Sequence, residues 1–322
     1  MLTRREYLFI YDVSWANPNG DPDDENRPRI DEETGINIVR DARIKRTIRD
    51  QILAMNLDKS KYDVLIRKEF KEDGTLKTKE DIAGTRTLQE IADSFIDVRL
   101  FGLTYAVKNN NQAVTGPVQF KYGQSMHQVD VKEIKGTAVM PHKKSNNNSE
   151  DNENKDKDKD KDKGKKQGTF TNTPLLPYSL IKVYGIMSER NAQHTKLTSE
   201  DLDIMTEAMW FGHKAGDDVI TGSKFGHEPR ILIEIIYREG VLSHIGELDK
   251  LVSIRSEIPD KQIRDIGQVI IDFTEFKKMV DKNKDKIQEV RYAINSRVKM
   301  EPDIQSVFQD ITCVPFRWVD KI

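Results

Sequence analysis

The chain has 322 residues, with 52 Lys and Arg against 54 Asp and Glu and a formal net charge of −2. Near-neutrality confines any nucleic-acid surface to a local patch, and a single cysteine, Cys313, excludes an internal disulfide framework and a cysteine-rich zinc site. No stretch approaches the ~20 apolar residues of a membrane span, and the opening MLTRREYLFIYDV holds no signal-like apolar run, so composition points to a soluble protein of the reducing cytosol.

In chain order, residues 7–13 read as a strand, with Leu8, Ile10 and Val13 apolar. The polar loop NPNGDPDDEN follows at 17–26. Residues 41–55 read as a helix with Asp41 as N-cap. A small hairpin region around KEDG is expected within 61–82, a second helix over 87–95 leading into DVRLFG, and a strand over 114–122. Residues 145–168 contain no apolar side chain, and seven acidic groups balance seven basic ones. Such a segment has nothing to bury against its ordering entropy, so a solvated loop between two arms of one protrusion is expected. Beyond it come a strand at 177–187, a helix from Thr198 and Ser199 through Phe211 closed by Gly212, the strand RILIEIIYR at 230–238, and a helix over 272–290. With 56–112 and 123–176 set aside as insertions, the order is strand, helix, strand, strand, helix, strand. That is an α+β chain on the ferredoxin-like, RNA-recognition-motif plan, one modified domain over 1–322. The plan alone names no function.

Four segments carry side chains with chemistry. The loop at 17–26 offers Asn17, Asn19, Asp21, Asp23, Asp24 and Glu25, all oxygen ligands of the kind calcium takes. With Gly20 as the invariant EF-hand glycine, Trp15 falls on the first ligand position and Asn26 where a bidentate Glu is needed, so the EF-hand fails. Asn-Pro, Asn-Gly and Asp-Pro are turn formers; a structural turn is the first expectation, with a bound cation or nucleic-acid contact through Asn19 and Gly20 as alternatives. In the helix after it, Ile44, Ile48, Ile52 and Met55 share one face. Arg43, Arg46 and Arg49 line roughly the opposite face, Lys45 lies near the boundary and Arg40 just precedes the helix. Cations at a helix N-terminus make a phosphate-binding surface, or only a solvated basic face.

The stretch AVTGPVQFKYGQSMHQVDV carries Phe120 and Tyr122 with Gln119, Gln124 and Ser125; its aromatics either stack on bases or pack a sheet face. The glycine-rich 211–230 carries Lys214 and Lys224. Ser223 stands where a P-loop needs Lys, so a flexible lysine-bearing loop near the ligand is expected rather than a nucleotide site. The six histidines show no metal-ligand spacing, and no nucleophile motif is present. No metal, cofactor or catalytic residue is expected.

The segments YLFIYDVSWANPNGDPDDENRPRIDEETGINIVRDARIKRTIRDQI, DVRLFG, TGPVQFKYGQSMHQV, GTAVMPHK…GTFTNTPLLPYSLI and SKFGHEPRILIEI, in order over about 5–240, resemble the backbone (Cas-seven) subunit of type I CRISPR interference complexes. The I-B branch is the most similar and I-C second. The resemblance implies a palm on the RNA-recognition plan with finger-like (56–112) and thumb-like (123–176) insertions, and copies lined up along a CRISPR guide RNA as a helical filament. It assigns guide-phosphate contact to Lys45, Arg46 and Arg49, which fall on the family's basic helix motif, and to Arg40 before it. The thumb would be the arms around 136–176, with Met140 and His142 as contact positions; Gln119 and Ser125 carry over more weakly. It further implies a non-catalytic cytoplasmic subunit of the Cascade complex, with target DNA reached through the guide and other Cascade subunits as neighbours, and no membrane. The alternative from the enzyme class is a CRISPR-associated ribonuclease acting on repeats or target RNA.

Overall fold

A computed structural model describes residues 2–107, 110–137, 170–217 and 219–321. Six elements form its centre: β1 (Arg5–Ala16), α1 (Asp41–Ala54), β2 (Val118–Phe120), β3 (Phe170–Met187), α2 (Ser199–Ala215) and β4 (His227–Tyr237). Their strands lie in the order β4–β1–β3–β2, all antiparallel, inside a ten-stranded sheet among the described residues. The sheet continues past β3 through Gly123–Gln128 and Ile36–Val39, and past β4 through Ile287–Ile294, with Cys313–Pro315 parallel at that edge.

β1 is buried on both faces. Tyr7, Phe9, Tyr11 and Val13 pack with Ile44, Ile48 and Ile52 of α1 and Met205, Met209 and Trp210 of α2. Leu8 and Ile10 point the other way, into a second core with Ile231, Ile233, Val252, Phe273, Phe276 and Phe308. Burial on two faces also explains why RILIEIIY sets apolar residues at successive positions, with only Arg230 and buried Glu234 as exceptions, where a half-exposed strand would alternate. The charges within these strands are therefore all answered. Glu6 accepts hydrogen bonds from Tyr184 (2.5 Å), Tyr237 and the backbone of Ile245 and Gly246. Asp12 accepts from Arg230 (2.9 Å) and Tyr178 (2.8 Å). A third, smaller core of Leu65, Ala83, Ile91, Phe95, Val98 and Leu103 serves the segment after α1.

Several elements differ from expectation. Arg40, not Asp41, is the N-cap of α1; Asp41 is its first helical residue and bonds Lys45 one turn on. Around KEDG the hairpin shrinks to one bridge, Phe70 to Leu76, between the short helices Lys59–Tyr62 and Lys79–Ala83. The helix Leu88–Ser94 starts from a Thr87 capping box, and DVRLF belongs to a separate helix, Ile96–Phe101, with Gly102 opening the next strand. The strand expected at 114–122 is broken at Gly116–Pro117, and Tyr122 lies beyond its end. The strand expected at 177–187 is the second half of β3, whose first half pairs antiparallel with Lys132–Thr137. Gly212 does not end α2, which runs on to Ala215. It brings two helices together instead: a Cβ there would stand 3.0 Å from both the side chain and carbonyl of Thr47 in α1.

The last expected helix is half strand. Thr274–Asn283 is helical, but Ile287–Ile294 pairs with β4. A register shift sets Tyr237 against Ile287 and Ile236 against Glu289, leaving Gln288 over. Ile287 and Val290, three apart, thereby reach the same core and imitate a helical period. Among the described residues no helix is long and apolar enough to cross a membrane.

Candidate nucleic-acid interface

The loop after β1 is a turn-built ladder. Gly20–Asp21 pairs with Arg27–Pro28, and Glu25 and Asn26 take positive φ angles of 46° and 59°. Gly20 permits the close crossing, since a Cβ there would fall 2.0 Å from the Asn26 side chain. The Asn17 side-chain amide donates to the Asn26 carbonyl at 2.6 Å. Asp21 takes both arms of the Arg29 guanidinium, at 2.6 and 3.0 Å. The carboxylate central to a cation reading is thus engaged by an arginine within the loop.

The same loop meets α1. Asn19 Oδ1 accepts the backbone N–H of Arg40 at 2.8 Å, satisfying from 21 residues upstream a helix start whose own N-cap side chain makes no cap bond. Beyond that start the cations divide. Arg40 is exposed and Arg46 is 47 % exposed, its Nε 3.3 Å from Asp50 one turn on. Lys45 and Arg49, at 12 % and 13 %, fold inward. Lys45 donates to Asp41 (3.1 Å) and Gln119 (3.0 Å), and Arg49 to Asp97 (2.9 Å); both lie over the Phe101 ring. Asp97 is buried and also accepts from the backbone of Leu65 and Ile66, so its charge calls for a cation inside the protein. Arg43 is half-buried, and its charge reaches Tyr11 and His227.

A second loop, at the end of α2, is stitched to the first. Ser14 N–H donates to Gly226 (3.0 Å), Asn17 N–H to Ser223 (2.7 Å), and Lys224 Nζ to the Asn17 carbonyl (3.2 Å). Gly226, at φ 124°, admits no Cβ, which would lie 2.2 Å from the Ser14 carbonyl. Behind it, burial pushes His227 down to about 3, leaving it a neutral ring near Tyr11 and His213. Half-buried Lys214 shares a cavity of about 420 Å³ with Phe225, His227, Arg230 and Arg297. A larger cavity of about 630 Å³ opens among Arg27, Arg29, Arg40 and Tyr122, with Asp21 and Asp24 on its wall.

The structure therefore brings Asn19, Gly20, Arg40, Arg43 and Lys224 to one end of the sheet and sorts the rest. The two aromatics of QFKY part company: Phe120 is core against Phe101, while Tyr122 is 55 % exposed beside Arg40. Ser125, a weaker contact position in the sequence reading, lies inside the sheet. It is 3 % exposed, donates to the His127 carbonyl (2.7 Å) and accepts from Asn37 N–H (2.9 Å), so its hydroxyl is committed to the sheet. Gln119 is likewise engaged, by Lys45 and by the Gly116 carbonyl. Met140 and His142 lie outside the described residues. Sequence reasoning does not single out Arg27, Arg29 or the exposed Trp15 and Phe225; an aromatic at the junction of an apolar strand with a turn-rich loop is the available signal for Trp15.

A mixed α/β protein with basic and amide side chains gathered at one end of a large sheet is the class that fold and site define. The chain belongs to the family described as CRISPR-associated protein Cas7, whose model matches residues 3–274. It is 26 % identical to a CRISPR-associated protein Cas7 of Haloferax volcanii over 96 % of this chain and 92 % of that one. In fold it is similar to a chain of a CRISPR RNA-guided surveillance complex in a pre-nicking state (TM-score 0.54, 12 % identity, 95 % and 98 % of the two chains covered). A chain of another CRISPR RNA-guided surveillance complex matches at TM-score 0.51 and 14 % identity over 95 % and 96 %.

Proposed function

We propose that the chain is a non-catalytic backbone subunit that binds CRISPR guide RNA and polymerises along it in a type I Cascade complex, with subtype I-B first and I-C second. One observation supports the reading beyond family membership: the loop after β1 is hydrogen-bonded both to the start of α1, Asn19 accepting the Arg40 backbone N–H, and to the second loop, Lys224 donating to the Asn17 carbonyl. Arg40 and Arg46, the more exposed cations, meet guide phosphates, with Arg43 and Lys214 beside them. Lys45, Arg49 and Gln119 shape the surface from below. The β4–β1–β3–β2 order, with both helices on one face, supports a ferredoxin-like palm. The segment 56–112, with its own small core, then reads as the fingers, and 123–176 as the thumb, with Met140 and His142 as its contact positions. Target DNA, further copies and other Cascade subunits are the partners, in the cytoplasm. Asp21 held by Arg29 and His227 neutral and buried are poor material for RNA cleavage.

Co-expression with a CRISPR array followed by size-exclusion chromatography tests this. The expected product is a large particle of high 260/280 absorbance carrying intact guide RNA. An RNA-free monomer that never assembles overturns the proposal, and guide or target RNA cut by the purified protein moves it to the ribonuclease class.

A further inference from the structure

Trp15 bears two disadvantages at once. Its backbone is left-handed, φ 50°, a strained setting for a bulky side chain, and 52 % of the residue is exposed. The other two tryptophans, Trp210 and Trp318, are 1 % and 4 % exposed. The surroundings hold it there. Ser14 N–H is fixed on Gly226 and Asn17 N–H on Ser223, one and two residues away. Across the ladder, between the Ser14–Tyr178 and Ala16–Leu176 pairs, stands Pro177, which has no N–H to lose. The Ser14–Gly226 bond also sets a second exposed aromatic close by, because Phe225, 71 % exposed, is the next residue on the other strand of that contact. Lys224, next to Phe225, donates to the Asn17 carbonyl, two residues from Trp15, and Phe225 lines a cavity with Lys214, Arg230, Asn295 and Arg297. Separate aromatics set among cations and amides, rather than a broad apolar patch, are the chemistry of an unpaired base stacked beside its phosphates.

We propose that Trp15, with Phe225 beside it, is a stacking platform for an unpaired RNA base, adding base contact to a surface otherwise built for phosphate. The proposal rests on the RNA-binding reading above. Trp15 supplies its own probe, because Trp210 and Trp318 are shielded from ligand. Full-length protein is titrated, by tryptophan emission and by filter binding over a salt series, with oligouridylate and with an abasic ribose-phosphate strand of equal length. Oligouridylate changes the emission of wild type, and Trp15→Phe removes that change while still binding. Trp15→Ala weakens oligouridylate binding roughly five- to 100-fold, leaving abasic binding and the salt slope as in wild type. Trp15→Gly, which relieves the backbone, loses affinity without losing Tm, so misfolding is separated from loss of stacking. The stacking proposal is overturned if RNA binds without altering Trp15 emission, or if Trp15→Ala weakens abasic and base-bearing strands alike. It is equally overturned if Trp15→Ala blocks association between copies at unchanged RNA affinity. Wild-type protein that binds neither strand overturns the RNA-binding reading itself.

Discussion

The charges beneath the interface and those on top of it come from the same short helix yet do opposite things. Arg49 reaches inward to buried Asp97, whereas Arg46, three residues earlier, reaches solvent. A buried carboxylate without its cation is costly, while an exposed pair contributes little. The lower layer therefore holds the surface in shape, and the upper layer is the one open to solvent.

The comparison breaks most visibly at the lower layer. Asp97→Ala leaves Arg49 and two backbone N–H groups unanswered, and a loss of about 3–5 kcal/mol is expected in urea unfolding. A loss below about 1 kcal/mol would show that the protein does not need Arg49 inside and would move it to the upper layer. Next in size is a pH effect under the second loop. The folded-state value of His227 is depressed to about 3 from 6.5, so the unfolded chain binds the proton more readily. Stability from the neutral ring is fully present above about 6.5 and is lost as pH falls towards 3, amounting to about 2 kcal/mol by pH 5. His227→Gln should flatten the stability profile in that window; an unchanged slope would place the titration elsewhere. The smallest stability change is expected on top. Arg40→Ala with Arg46→Ala should alter unfolding by less than about 0.5 kcal/mol. Guide-RNA binding should nevertheless weaken, its salt slope falling by roughly one unit for each phosphate the variant no longer holds. An unaltered slope would place the RNA track off this helix.

Much of this was legible along the chain. The isoleucines of α1 face the core at the spacing that predicts it, and NPNGDPDDEN makes the turns its dipeptides favour. The helical wheel could not show that Asp97, far along the chain, draws Arg49 away from the outer row and over the Phe101 ring. Nor could it show that Gly212, which resembles a helix stop, is the point where α2 touches Thr47. At 287–294 a bulge rather than a helical turn produced the three-residue apolar spacing.

By itself, then, the sequence determined which segments are apolar and at what period, where the chain turns, and that cations crowd the start of one helix. These are local properties, set by backbone sterics and by side-chain spacing. Tertiary structure alone decided which cations face outward, that Ser125 is sealed within the sheet, and that exposed Trp15 and Phe225 each adjoin the Ser14–Gly226 hydrogen bond. Those outcomes depend on charges and glycines brought together from distant parts of the chain, where burial makes each pairing obligatory.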